Sequence, residues 1–254
     1  MDQPEGGGLD GFRAGADASG AAARLGSPEG DRLVGAEAPP PPPRLGHAGG
    51  ARGVQKKLEQ AVAEARAQHP DKPIEVWATD EHRIGLKPII RRVWAPKGQR
   101  PIALGHHRYK WLYVTAFVQP TSGETFWYVS NGVSKPFFAG LLALFAREAG
   151  AGRDRIIVLG LDSAGWHTAP NLVVPAGLRL AYLPPYSPEL QPAEHLWPVL
   201  DEPLANQYFE TLADLERVVA NRCRGLDGDQ LSLGTNFHWW PKPAIPSPKP
   251  AIPS

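Results

Sequence analysis

Apolar and polar positions alternate with a changing period along the chain, and each change marks a predicted element. From Val54 to His69 (VQKKLEQAVAEARAQH), Leu58, Val62 and Ala65 recur at helical spacing until Pro70 ends the run, which predicts one amphipathic helix. IEVWATD, from Ile74 to Asp80, reads as a short buried strand, and IIRRVW, from Ile89 to Trp94, as a second strand closed by the turn APKGQRP. Trp111 to Val118 and Thr125 to Val129 flank PTSGE, which suits a hairpin connection. Phe137 to Ala149 is apolar at helical spacing and stops at Gly150. RIIVLGLD, from Arg155 to Asp162, is an unbroken apolar run, the pattern of a strand buried on both faces. LRLAYL, from Leu178 to Leu183, gives a further strand. The loop PPYSPELQP and helices near Ala193 to Leu204 and Thr211 to Arg222 complete the pattern.

Antiparallel strands, a helix, two strands and two helices, in that order, predict an α/β fold with a mixed sheet covered by helices. A ribonuclease H-like core fits that order, and so do other α/β folds. Residues 1–50 are rich in Gly, Ala and Pro, include five consecutive prolines from Pro39 to Pro43, and have no sustained period. They are predicted to be a disordered leader. The near-tandem KPAIPSP and KPAIPS at the other end favour extended polyproline conformations. The predicted organisation is therefore a leader over 1–50, a connecting helix over 51–70, a folded domain over 71–240, and a Pro-rich disordered tail over 241–254.

Composition narrows the function classes. The sequence has 42% hydrophobic residues, enough for an ordinary core, yet no run of eighteen apolar residues and no basic-then-apolar secretion signal, so a cytoplasmic, non-membrane protein is expected. A single cysteine, Cys223, excludes an internal disulfide and a cysteine zinc site. The net charge is only +1, but between His82 and Gly123 there is no acidic residue and there are eight basic ones. Elsewhere 19 basic residues face 26 acidic ones. Such local positive charge suits a polyanion surface or a solvated basic hairpin.

Asp80 and Asp162 each follow an apolar strand, and in open α/β sheets ligands bind beyond the carboxyl ends of strands. Glu194 begins a helix after a loop stiffened by Pro184, Pro185, Pro188 and Pro192, whose fixed φ would aim one side chain reproducibly. Three carboxylates within about 4 Å of one another repel by several kcal/mol per pair at an effective dielectric near 20. Hard divalent cations relieve this, and two Mg²⁺ or Mn²⁺ ions about 3.5 to 4 Å apart can stabilise both attacking and leaving oxygens in phosphoryl transfer. A single strand-end Asp is more often a turn or cap residue, so the inference rests on the trio. Glu81, by strand alternation, should face away from Asp80 and is left out of the metal set.

The segments ATDEHRIGLKP, RRVWAPKGQRP, HHRYKWLYV, LDSAGWH and LPPYSPELQPAEHLWP, in that order, resemble bacterial insertion-sequence transposases of the IS six-thirty group, in the mariner superfamily. The resemblance spans about Glu75 to Trp240. It implies a ribonuclease H-like, five-stranded DDE catalytic domain in which Asp80, Asp162 and Glu194 are catalytic and hold two Mg²⁺ or Mn²⁺ ions. The implied reaction is metal-dependent hydrolysis at transposon ends that leaves a 3′-hydroxyl, followed by attack of that hydroxyl on target DNA. The implied partners are double-stranded transposon ends and target DNA, with two copies of the chain pairing the ends as a homodimer at the nucleoid. Ser163 stands where the family usually has Asn. Arg91, Arg92, Lys97, Arg100 and Arg108 are candidates for the DNA backbone. His167, five residues after Asp162, is a candidate for a phosphate or a packed residue. Trp77, Trp94, Trp111, Trp166 and Trp197 are expected mainly in the core.

Members of that family recognise their ends through N-terminal helix-turn-helix modules, and residues 1–50 offer no apolar helices to build one. A truncated or frame-shifted copy with weak end recognition is therefore expected. The alternatives to an active transposase are another ribonuclease H-like nuclease and a catalytically silent remnant that only binds DNA or oligomerises.

Overall fold

The computed structural model describes residues 10–14, 48–92, 97, 108–185 and 187–244. The elements are β1 (Asp10–Ala14), α1 (Ala48–Gln68), β2 (Ile74–Gly85), β3 (Trp111–Gln119), β4 (Glu124–Ser130), α2 (Lys135–Glu148), β5 (Ile156–Leu161), β6 (Leu178–Tyr182), α3 (Trp197–Leu200), α4 (Leu212–Gly225) and α5 (Gly228–Thr235). Short 3₁₀ turns precede and follow α3.

The mixed sheet runs β1-β4-β3-β2-β5-β6. β4, β3 and β2 are antiparallel neighbours, while β2, β5 and β6 are parallel. The five strands β2 to β6, with helices on both faces, form the expected ribonuclease H-like α/β core. The chain returns from β4 to β5 through α2, as a switch to parallel pairing requires. Pairing follows the sequence where one strand is buried on both sides: β5 is buried at every position.

Each sheet face has its own core. On one face Phe138, Leu142 and Phe145 of α2 pack on Trp77, Phe117 and Leu159. Phe117 and Phe145 stack with centroids 4.0 Å apart. On the other face Leu58 and Ala65 of α1, Leu215 and Val219 of α4, and Trp240 cover Val76, Ala78 and Val158. The PTSGE hairpin closes as expected, with Gly123 at φ +71°. A Cβ there would lie 1.8 Å from the Gly228 carbonyl oxygen, so only glycine lets α5 abut the hairpin.

Several elements depart from the sequence reading. β2 does not stop at Asp80 but continues to Gly85, because β3 pairs with it out to Gly85↔Trp111. The strand expected at Ile89–Trp94 is not formed over its described residues. Pro88 removes a ladder donor, and Ile90, Arg91 and Arg92 are all exposed, which leaves no buried face. Instead Ile89 bridges Ala205, and Asn206 binds the Ile89 carbonyl and both backbone groups of Arg91. The helix expected at Ala193–Leu204 is broken into short turns, since Pro192, Pro198 and Pro203 each lack the N–H that a continuous helix needs.

The leader, expected without regular structure, contributes β1 against β4, in register Asp10↔Val129 to Ala14↔Thr125. At the other end Ala244 exchanges both backbone hydrogen bonds with Ile74, so the start of the expected tail is anchored. Trp94, Arg100, most of the leader and residues 245–254 lie outside the described residues. No helix among the described residues is long and apolar enough to cross a membrane.

Candidate active site

The two aspartates stand level with each other. β2 and β5 pair in parallel as far as Ala78↔Gly160, and Asp80 and Asp162 lie two residues beyond that pair on their respective chains. Strand alternation puts them on the face that carries Val76, Ala78 and Val158. β5 ends at Leu161, so the cleft opens where the parallel pairing stops.

Glu194 arrives from the proline-rich loop. Pro192 starts the 3₁₀ turn that carries it, and Ala193, Leu196 and Trp197 on the same stretch are buried, which pins the turn to the core. Gln191, also buried, donates from Nε2 to the Thr79 carbonyl at 2.9 Å and ties the turn to the residue before Asp80. Asp80, Asp162 and Glu194 line one cleft of about 350 Å³, together with Ser163, Ala164, Gln191, and a wall of Leu183, Pro184, Pro185, Ser187 and Pro188.

Each carboxylate has a distinct environment. Trp197 Nε1 donates to Asp80 Oδ2 at 2.8 Å, and the indole is itself stacked on His82, centroids 5.0 Å apart and planes 14° from parallel. His82 Nε2 in turn meets Asp201 Oδ1 at 3.0 Å. Burial, and after it the like charge of Glu194, push Asp80 up to about 7 against the pull of Trp197. Burial also raises Glu194; Asp162 adds to the rise, while His82 and a hydrogen bond with Asp80 oppose it. Asp162 is held below the usual carboxylate range by His167, which outweighs its partial burial, and by the Ala164 N–H.

His167 lies inside the fold. It is fully buried, with Nδ1 2.6 Å from Asp162 Oδ1 and Nε2 3.1 Å from Glu81 Oε1. Of the two readings, a phosphate contact or a packed residue, the geometry matches the packed one: both ring nitrogens are engaged inside the fold. Burial alone would lower its pKa, but the hydrogen bonds to Asp162 and Glu81 prevail and raise it to about 9. Glu81 does turn away from Asp80, as alternation requires. It also accepts from Trp166 Nε1 at 3.3 Å.

The other tryptophans divide. Trp77 is fully buried and Trp111 is partly exposed. Arg91, Arg92, Lys97 and Arg108 are exposed, and the Arg91 guanidinium donates to the Pro198 carbonyl.

The donor set suits a hard divalent cation, with three carboxylates lining the cleft and neither thiolate nor imidazole among its walls. Among the described residues, no three His, Cys, Asp or Glu side chains are grouped closely enough to hold a metal ion as they stand.

Residues 75–216, more than half of the chain, match the family model described as DDE superfamily endonuclease. The chain belongs to this family. Among relatives of this DDE endonuclease is the uncharacterized protein y4pE/y4sA of Sinorhizobium fredii (strain NBRC 101917 / NGR234), 33% identical over 114 residues, which make up 44% of this chain and 81% of that protein. Among solved structures, the Mos1 strand transfer complex aligns with TM-score 0.50 and 18% identity. It covers 82% of this chain and 62% of the Mos1 chain. The pre-cleavage Mos1 transpososome aligns with TM-score 0.51 and 17% identity over 82% and 63% of the respective chains. At these identities the likeness is one of fold, and the chain spans a little under two thirds of the length of those Mos1 chains.

Proposed function

We propose that this DDE endonuclease is the catalytic domain, over residues 71–240, of a DNA transposase of the IS six-thirty group, with Asp80, Asp162 and Glu194 as its catalytic, metal-holding carboxylates. The observation that carries the reading is that these three acids, remote in sequence, line one cleft at the end of the parallel strands. Mg²⁺ or Mn²⁺, as one ion or a pair, would offset the repulsion among the carboxylates and the charge that develops on a phosphodiester.

The chain's own groups do the positioning. Trp197 fixes one oxygen of Asp80, His167 and the Ala164 N–H fix one oxygen of Asp162, and the pinned proline turn presents Glu194. A double-stranded DNA substrate, cut at transposon ends and joined to a target, is supported by the family membership and by Mos1 neighbours named as transposon-end and strand-transfer complexes. Exposed Arg91, Arg92, Lys97 and Arg108 would meet its phosphates, with Arg100 added from sequence alone. Two copies pairing two ends as a homodimer is part of this reading.

One observation favours a second reading, a silent remnant that binds DNA without cutting it: among the described residues no three acidic side chains are grouped closely enough to hold an ion as they stand. Nicking of supercoiled plasmid in Mg²⁺ or Mn²⁺ separates the two. The catalytic reading expects relaxed circles from the parent chain and none from Asp162→Asn. Equal nicking by both proteins, or by neither while DNA is still bound, contradicts it.

A further inference from the structure

The buried pair Glu81 and His167 belongs to neither core, and the fold spends two charged side chains on it. Glu81 has a side chain only 5% exposed and His167 none exposed; His167 packs on Phe138 of α2 and on Trp166, and Glu81 meets Trp166, in a setting where an unpaired charge is costly. Such groups are tolerated when every polar atom is satisfied, and here the satisfaction is directional. The ring lies between Glu81 Oε1 and Asp162 Oδ1. Trp166 Nε1 takes the second oxygen of Glu81, and the Tyr182 hydroxyl, from β6, donates to the His167 carbonyl at 2.8 Å. The network therefore starts on β2 at the residue after Asp80, passes around the end of β5, and ends on Asp162.

We propose that Glu81 and His167 are positioning residues that set the rotamer of Asp162, so that β2 fixes both aspartates: Asp80 directly, and Asp162 through the imidazole. The inference rests on the reading of Asp162 as a metal-holding carboxylate. Asp162 is half-exposed at a strand end. Its 2.6 Å bond to a fully buried ring, beside the Ala164 N–H on the same oxygen, supplies what burial does not. Partners behind a metal-binding side chain commonly govern affinity by about 10- to 100-fold, because they select the oriented ligand before the ion arrives.

Two isosteric replacements separate aiming from filling space. Asn places its amide nitrogen near the position of Nδ1, and Gln near that of Nε2. His167→Asn therefore keeps the donor toward Asp162, whereas His167→Gln keeps only the donor toward Glu81. The measurement is Mn²⁺ affinity by isothermal titration calorimetry on the full chain, with thermal melting of the metal-free proteins alongside. We expect His167→Gln to weaken Mn²⁺ binding by about 10-fold or more and His167→Asn by about 3-fold or less, with similar melting temperatures. Glu81→Gln, which leaves the ring in place, should fall between them.

Equal losses in the Asn and Gln variants, or affinities unchanged from the parent in all three, overturn the inference. Should both His167 variants fail to fold, Glu81→Gln decides alone: parent-like Mn²⁺ affinity overturns the inference and a loss supports it. If the parent binds no Mn²⁺, or Asp162→Asn binds it as tightly as the parent, the carboxylate reading itself fails and this inference with it. A parent that binds, with unaffected variants, sinks the inference alone.

Discussion

The indole Nε1 of Trp197 donates a 2.8 Å hydrogen bond to Oδ2 of Asp80, 117 residues away in sequence. A donor to a carboxylate favours its ionised form, so Trp197 works against the burial and the Glu194 charge that push Asp80 up to about 7. Trp197→Phe keeps most of the ring stack on His82 but removes the donor. A hydrogen bond to a charged group contributes about 1.5–3 kcal/mol, so Asp80 should ionise less readily at neutral pH and the Mg²⁺ needed for half-maximal nicking should rise about tenfold or more. An unchanged Mg²⁺ requirement would show that Trp197 only packs.

The pH dependence of metal-free stability follows chiefly from Asp80 and His167, with the raised Glu194 acting in the same direction as Asp80. Asp80 titrates at about 7 in the folded chain against an ordinary 3.8, and His167 at about 9 against 6.5. In both cases the folded state binds more protons than the unfolded one, so stability falls as pH rises. The Asp80 contribution is lost between about 4 and 7, and that of His167 between about 6.5 and 9. Asp162, whose folded value is depressed, acts with the opposite sign but only in the acid range, where its stabilisation is lost as pH falls. In EDTA the melting temperature should therefore drop by about 5 °C or more from pH 5.5 to pH 9, and Mg²⁺ should recover part of the loss at neutral pH and above. A melting temperature that rises over that range contradicts these assignments.

Gly160, two residues before Asp162, leaves room for a tryptophan. A Cβ there would lie 3.1 Å from Cη2 of Trp240 and 3.5 Å from the Trp77 carbonyl oxygen. Gly160→Val should lower stability by about 1–3 kcal/mol through overpacking. It should also weaken Mn²⁺ binding, because β5 carries Asp162. Denaturant melts with an unchanged midpoint would disprove the close fit.

The sequence pattern reached the fold class because the decisive strands are simple. β5 is buried on both faces, so RIIVLGL could not alternate, and its end at Asp162 was visible. The three acids that line the cleft stand out in the sequence because two of them follow apolar runs and the third follows a loop punctuated by four prolines. Over the described residues 89–92 the expected strand does not form because β-branched residues alone do not make one; a partner edge is also required, and Ile90 lies exposed. α5, with Leu231 and Thr235 as its buried residues, carried too weak a periodicity to be noticed. The contacts of Trp197 with Asp80 and of His167 with Glu81 depend on how distant elements cross, which no local pattern encodes. Its place five residues after Asp162 makes His167 a candidate for a phosphate or for packing, and the geometry turns it inward.

The basic segment makes a prediction about salt. For duplex DNA the logarithm of affinity falls with the logarithm of salt by about 0.9 per phosphate neutralised. Arg92→Ala combined with Lys97→Ala, both exposed positions, should make that slope shallower by roughly 2 while leaving the melting temperature within about 1 °C. A slope equal to that of the parent places the DNA elsewhere.

Anomalous diffraction from crystals of the chain soaked in Mn²⁺ tests the convergence of the three carboxylates most directly. The account predicts a manganese peak in the cleft, within coordination distance of Asp80, Asp162 and Glu194, absent from crystals of Asp162→Asn grown the same way. Manganese bound only elsewhere, or a cleft that stays empty at saturating metal, would contradict it.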